Sequence, residues 1–574
     1  MIHAVDPRQN RLFDPFEGVI STLGRRIIAE EWQGVFRHLL LEVMPVSELS
    51  RHFSQSLGAP TKELFSMAGL VFLADFFNWT AVEAGEAYIF RSDVQYALNL
   101  EPAAEISART VERYQKLFRE DDLARRVFED VTDRLVRVLD LNVSRQRLDS
   151  THVFSHMASF GRSKLLAVAI KRFLTQVKRH TPDAFDALPD DFRRRYEPSQ
   201  SRLFAEAKDA EARARCRQQA AEDLHFVITC FANQSDHANR STYKAMIAVF
   251  AQQCELSGDT VVVKTKVGGD CIQNPSDLEA TYSGHKGSGY QVQISETCGS
   301  ENDVQLITAT LPQTASAPDG HAVKAMLGQL ENTGRLPEEL LADTLYAGDE
   351  NVEAAAVLGV DLIGPVAGRP LECNLDALTV DDFAWDERTA AISACPTGQR
   401  PTSCTRDATT ATTRIEMPES ACAGCPFRKQ CPIKKTNDGK FTLEFTDKQR
   451  RLSARRVEEQ TEVFRDRYAT RSGIESTNSG LKNRLGLGRL RVRGRGSVFR
   501  VIQHKIAGWN VLRAATSKKL RAWVAERVAG TLKTGNSRWI RLFPDRIEGH
   551  LSHLRDVTRG SRAKIDQSML IQAA

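Results

Sequence analysis

Between residues 30 and 139 apolar positions recur every three or four residues, the spacing of one face of an α-helix. The densest apolar run, residues 67–77, reads as a buried helix too short to span a bilayer. Ser47 and Ser107 stand before such runs as N-cap signals. Short helices with interspersed Arg, as over 107–119, suit a helix-turn-helix DNA-binding module and equally a plain bundle. At residue 145 the period changes: 145–154 is β-prone and predicts a strand with Asp149 in its middle. Residues 164–251 return to a charged helical pattern and read as an insertion or a side layer. A strand at 261–265, turns over 274–289 and an alternating strand at 290–298 follow, the last with a hairpin partner at 304–311. A helix is expected at 321–332, then a strand at 340–346, a helix at 351–358 and a strand at 360–366. Those last three form a β-α-β unit, which favours parallel pairing. Residues 371–445 are polar, Thr-rich and Cys-rich and break the pattern. Charged helices at 448–461 and 468–482 and a helix from 498 to about 527 complete the reading.

These patterns divide the 574 residues into a leader (1–31), a helical, candidate DNA-binding domain (32–140) and the first part of an α/β core (141–370, with a helical insertion at 160–255). A Cys-rich insertion (371–445), the rest of the core (446–530) and a basic tail (531–574) follow. The net charge of +5 is small for this length, but it is uneven. Residues 337–387 are acid-rich, whereas 482–505 carry Lys482, Arg484, Arg489, Arg491, Arg493, Arg495, Arg500 and Lys505 with no acid. A polyanionic partner near that segment is implied, and glycines at 486, 488, 494 and 496 suit a loop that follows a phosphate backbone. A solvated basic loop is the plainer reading. The N-terminal stretch lacks the apolar core of a signal peptide, so a cytoplasmic, nucleoid-associated protein with no membrane partner is expected.

In that compartment the eleven Cys should be thiols or metal ligands. Cys422-x2-Cys425-x5-Cys431 with Cys395 upstream offers four ligands for a structural Zn²⁺, and Cys404 is an alternate fourth. Free thiols in a polar insert are the other reading. Cys216, Cys230, Cys254, Cys271, Cys298 and Cys373 look isolated.

The segment 468–482 carries the sharpest signal. On one helix at about 100° per residue, with Tyr468 at zero, Arg471 falls at roughly 300°, Glu475 at roughly 340° and Lys482 at roughly 320°. A carboxylate among cations on one stripe, ahead of a basic loop, suits a metal ligand working on phosphate; an exposed amphipathic helix is the bland alternative. Asp149 in a strand, Asp343 at a strand end and Glu475 on a helix could together hold two divalent cations about 4 Å apart. Mg²⁺, or Mn²⁺, suits such an all-oxygen site. Singly, each acid reads more readily as a cap, a turn residue or a surface charge.

These residues resemble the signature blocks of bacterial insertion-sequence transposases with an Asp-Asp-Glu core. Leu148-Asp149-Ser150-Thr151 looks like the first block and Leu341-Ala342-Asp343-Thr344 with Tyr346 like the second. Tyr468, Arg471, Glu475 and Lys482 keep every spacing of the third, Tyr-x2-Arg-x3-Glu-x6-Lys. Asn274 to Asp277, His285-Lys286-Gly287 and Tyr290 also look familial. The resemblance, over about 35–515, implies an RNase H-like mixed sheet core with a helical N-terminal domain and a Cys-rich insertion. It implies metal-dependent cleavage and strand transfer at terminal inverted repeats, without a covalent protein–DNA intermediate. Asp149, Asp343 and Glu475 would be catalytic. Tyr468, Arg471, Lys482, His285, Lys286, Arg489, Arg491 and Arg493 would meet DNA, and two copies would pair the two ends. Leu345 departs from the family, which often has Gly there, and Asp349 is a weaker second acid. His152 is kept outside the site as a structural residue. A nuclease without rejoining and a non-catalytic DNA-binding protein are the alternatives.

Overall fold

The computed structural model describes residues 1–8, 15–102, 104–158, 160–196, 209–367, 377–386 and 391–535. Most of the expected basic tail, part of the leader and Cys373 lie outside them. The fold is mixed α/β.

Helices come first, and Leu64–Phe76 (α1) and Leu123–Leu139 (α2) supply much of their core. α1 is apolar on every side and almost wholly buried. Ser107 caps the helix Ala108–Glu120, accepting from the Thr110 amide. Ser47 does not cap: it is the second residue of the helix Val46–Ser50, whose N-cap position is Pro45 and has no side-chain cap.

The central sheet starts with β1 (Arg145–Val153). The chain then leaves it for α3 (Arg162–His180), α4 (Ala210–Phe231) and α5 (Ser241–Gln253). These helices and the hairpin Cys254–Ser257/Thr260–Val263 enclose a hydrophobic core of their own. The chain returns as β2 (Gly287–Thr297) and β3 (Ile307–Thr314), then α6 (Ala322–Asn332), β4 (Glu339–Leu341), α7 (Asp349–Val357) and β5 (Asp361–Ile363). The order across the sheet is β3-β2-β1-β4-β5, and the short strand Thr281–Ser283 pairs with the start of β2. β1, β2 and β3 run antiparallel in turn; β4 and β5 run parallel to β1. The parallel β-α-β unit is as expected, but its strands stop sooner. Asp343 closes a turn directly after β4, accepting the Leu345 amide on Oδ1 at 2.9 Å.

The register puts Arg147, Asp149 and Thr151 opposite Glu296, Ile294 and Val292, so these residues share one face. That face carries α1, α2 and the helix α10 (Arg495–Ala515), in one continuous apolar core. The opposite face is covered by α6 and α7. β2 therefore has water on neither side. Its polar alternates, Gln291, Gln293, Ser295 and Thr297, are all fully buried and must be hydrogen-bonded.

The Cys-rich region has more structure than its composition promises. β6 (Ser403–Asp407), β7 (Thr412–Met417), β8 (Phe441–Thr446) and the two-residue strand Lys434–Lys435 form an antiparallel sheet. Alternate residues Ile415, Met417, Leu443 and Phe445 face a small core. Thr-rich strands hide this periodicity, because Thr is β-prone yet counts as polar. Two helices then return to the central sheet: α8 (Glu462–Ala469) and α9 (Ile474–Asn483).

Helix α10 ties the chain together. Gly480 of α9 sits where an added Cβ would lie 2.3 Å from the Trp509 ring, so only glycine allows α9 to lie so close. The buried Arg500 and His504 of α10 both pair with Asp75 of α1, at 2.8 Å. Burial pushes the Asp75 carboxyl up, but the Arg500 guanidinium and His504 outweigh it and hold it down at about 2.

Candidate active site

Segment 468–482 is not one helix. α8 ends at Ala469, Thr470–Gly473 is a 3₁₀ turn, and α9 begins at Ile474. The cause is visible at Gly473, where a Cβ would stand 2.0 Å from the Arg147 guanidinium. Arg147 is buried, bonds Glu296 through Nε and Nη2 at 2.8 and 2.6 Å, and donates to the Thr470 carbonyl at 2.8 Å. Glu296 in turn accepts from Thr477 of α9 at 2.7 Å. A buried ion pair on the sheet thus fixes both the break and the start of the next helix.

That arrangement gathers the three acids. Arg471, in the 3₁₀ turn, lies 3.3 Å from Asp149, 3.8 Å from Asp343 and 3.3 Å from Glu475. Carboxylates more than 300 residues apart in sequence meet around one guanidinium. Burial raises the Asp149 pKa, and Arg471 works against that rise. Asn478 donates to Asp149 at 3.0 Å and fixes the carboxylate from the α9 side. Asp343 is half-buried, and Glu475 is exposed on the first turn of α9. Among the described residues no three His, Cys, Asp or Glu side chains are grouped closely enough to hold an ion as placed. Here the guanidinium lies between the carboxylates.

The other candidates divide. Tyr468 is half-buried, stacked on Phe464 at 5.6 Å and packed against Leu341 and Ile363. Lys482, Arg484, Arg489 and Arg493 are exposed and make no ion pair among the described residues. Arg491 pairs with Glu83 at 2.8 Å. The basic run does not extend as a loop to residue 505. α10 starts at Arg495, and Arg500 and Lys505 are buried inside it, Lys505 donating to the Phe76 carbonyl at 3.0 Å. They are among the positions α10 turns inward, which a count of charges alone cannot reveal.

Lys286 also has other work. It lies on the far face of the sheet and donates to Ser150 at 2.7 Å, Gln291 at 2.9 Å and Asp319 at 2.8 Å. His285 beside it is exposed. His152 is buried and bonded to the Ser288 carbonyl at 3.1 Å, and burial pushes its pKa down to about 4. Asp349 is buried in a two-point pair with Arg451 at 3.0 and 2.6 Å, so it points away from Asp149. Leu345 is exposed, and its amide is held by Asp343 itself, so no glycine is needed in that turn.

Sequence reasoning missed Asn478, Arg147, Glu296 and Asp319. Only Asn478 left a trace: at roughly 280° on the same helical wheel it shares the stripe of Arg471.

Cys395, Cys422, Cys425 and Cys431 line one cavity of about 20 Å³ with Leu378, Phe427 and Ile433. Burial and the neighbouring thiols raise the pKa of Cys422 and Cys431. At Cys395 burial is outweighed by hydrogen bonds from Thr397 and nearby amides, and the pKa falls. Cys404 is exposed on β6 and is not part of the cavity.

Residues 394–515 match the family model described as Transposase DDE domain. The matched span holds Glu475, the Cys cavity and the basic loop, but not Asp149 or Asp343. This match supports a DDE-type transposase, a nuclease-type enzyme of a generally divalent-metal-dependent family whose partner is DNA. No curated protein and no solved structure matches the chain. Among the described residues no helix is long and apolar enough to cross a membrane.

Proposed function

We propose that the protein is an insertion-sequence transposase that cuts DNA at the ends of its element and joins them to target DNA. Asp149, Asp343 and Glu475 are its catalytic triad. The observation that carries this reading is the single guanidinium within ion-pair distance of all three carboxylates. A sheet antiparallel on one side of β1 and parallel on the other supports an RNase H-like core for them.

The donor set fits Mg²⁺ or Mn²⁺: all oxygen, anionic, and already gathered about a positive charge. When bound, two such ions would activate water or a 3′-hydroxyl and stabilise the leaving oxygen. The chain's own part is to position and to bind. Asn478 fixes the Asp149 carboxylate. Arg471 has a buried Nε with no partner among the described residues, so only the three acids anchor its guanidinium. An incoming phosphate offers it a charge-assisted alternative, which draws it off the acids. Lys482, Arg484, Arg489 and Arg493 supply backbone contacts beside the scissile bond, and the rigid ring of Tyr468 borders it. Pairing two ends calls for two copies, in the cytoplasm at the nucleoid.

The test is an assay on duplexes carrying the element's own inverted repeats. In Mg²⁺ the expected products are strands cut to 3′-hydroxyl ends and, with target DNA, joined molecules; chelation should abolish both. Bound duplex left uncut in Mg²⁺ and in Mn²⁺ rejects the reading.

The four thiols of the Cys cavity suit a tetrahedral structural Zn²⁺. As placed they do not form a closed ligand cage. Purified protein is expected to carry stoichiometric zinc, and Cys425→Ser to lose it and melt earlier. Metal-free protein whose melting is unmoved by that substitution would refute the site.

A further inference from the structure

Helix α3 has a feature its place in a side layer does not require. Its buried side is continuous: Leu165, Leu166, Ala169, Ile170, Phe173 and Leu174 pack into the core shared with α4 and α5. The helix contains no Asp or Glu. With Lys164 at zero, Lys171 falls at roughly 340°, Arg172 at roughly 80°, Lys178 at roughly 320° and Arg179 at roughly 60°. Lys164, Lys171, Lys178 and Arg179 therefore share the side away from the core, with half-buried Arg172 at its edge. Lys164, Lys178 and Arg179 are exposed, and none of the five makes an ion pair among the described residues. A helix kept soluble by surface charge normally mixes signs in i,i+4 pairs.

The stripe also continues toward the candidate active site. Arg172 is half-buried and donates to Ser276; burial lowers its pKa, and the positive charge of Arg493 in the basic loop lowers it further. Nearby, Asp277 accepts the Gly494 amide at 2.9 Å and the Tyr290 hydroxyl at 2.5 Å, which fixes the end of that loop. From Lys164 to Arg179 is about 22 Å along the helix axis. That is some two-thirds of a turn of B-DNA, about 34 Å.

We propose that the outer face of α3 is a second phosphate-backbone contact, holding double-stranded DNA that runs on beyond the cleavage point. This deepens the transposase reading and rests on it. Lys164, Lys171, Lys178 and Arg179 are spread along a rigid helix and lie on its outer side. They would add affinity and register without sequence preference.

The test compares the full-length chain with a variant carrying Lys164→Gln, Lys171→Gln, Lys178→Gln and Arg179→Gln, in buffer without divalent ions. Two duplexes are used, one of about 12 base pairs around the cleavage point and one of about 40, which is some four helical turns. The variant is expected to bind the short duplex as the parent does. It should lose at least about tenfold in affinity for the long one, with the slope of log K against log salt shallower by roughly three. A matching Lys164→Arg, Lys171→Arg, Lys178→Arg variant should keep parental binding, which separates charge from folding. Unchanged affinity and slope on the long duplex, with normal cleavage, overturn this inference alone. Equal losses on both duplexes also overturn it, because the face would then not be separate from the cleavage point. A parent chain that binds neither duplex overturns the transposase reading with it.

Discussion

Glu475→Gln and Asp149→Asn are each expected to slow cleavage of an element end by at least about 10³-fold while end binding changes little. A thousandfold loss corresponds to about 4 kcal/mol, within the several kcal/mol that a metal-bound carboxylate can contribute to the transition state. Both substitutions keep size and remove charge, so packing should survive. Arg471 would keep two of its three carboxylate partners in either variant. Asp149→Asn also keeps a group that Asn478 can meet after an amide flip. Single-turnover cleavage beside gel-shift binding separates the two effects. A variant that cuts at the parental rate in Mg²⁺ removes its residue from the site.

The second large effect belongs to Glu296, which touches no substrate. Glu296→Gln leaves the Arg147 guanidinium buried and unpaired, and breaking such a pair from one side costs about 3 to 5 kcal/mol. Thermal unfolding should begin roughly 5 to 15 °C lower. Cleavage should fall as well, because Arg147 holds the Thr470 carbonyl and packs on Gly473 at the start of α9. Arg147→Met with Glu296→Leu should recover much of the stability and little of the cleavage, since apolar replacement removes the stranded charge but not the need to place the turn. Calorimetry of the single and double variants decides. A single variant that melts like the parent would show that water or another group satisfies Arg147.

Much of this site was legible in the chain because charge patterns are local. The spacing of Tyr468, Arg471, Glu475 and Lys482 drew attention to α9 although the helix is broken inside that span. The break was not legible, since it depends on Arg147, more than 300 residues upstream. Asp149 stood out as an acid among β-prone neighbours. Glu296 did not, because its partner is a residue of another strand and pairing across a sheet leaves no periodic mark. Lys286, given to DNA by the resemblance, and Arg500 and Lys505, counted in the basic run, are each engaged with protein partners, which a count of charges does not reveal. Strand lengths failed at β4 for a related reason: Leu340 and Leu341 look like the start of a long strand, but the Asp343 side chain ends it.

The union of Asp75 with Arg500 and His504 has an evolutionary consequence. Here the described helices between residues 35 and 141 and α10 build one interior, and a foreign helical region would strand the buried Arg500 guanidinium and the His504 imidazole without their acid. Lineages carrying this chain should therefore inherit α1 and α10 together, and hybrids spliced between them should fail to fold.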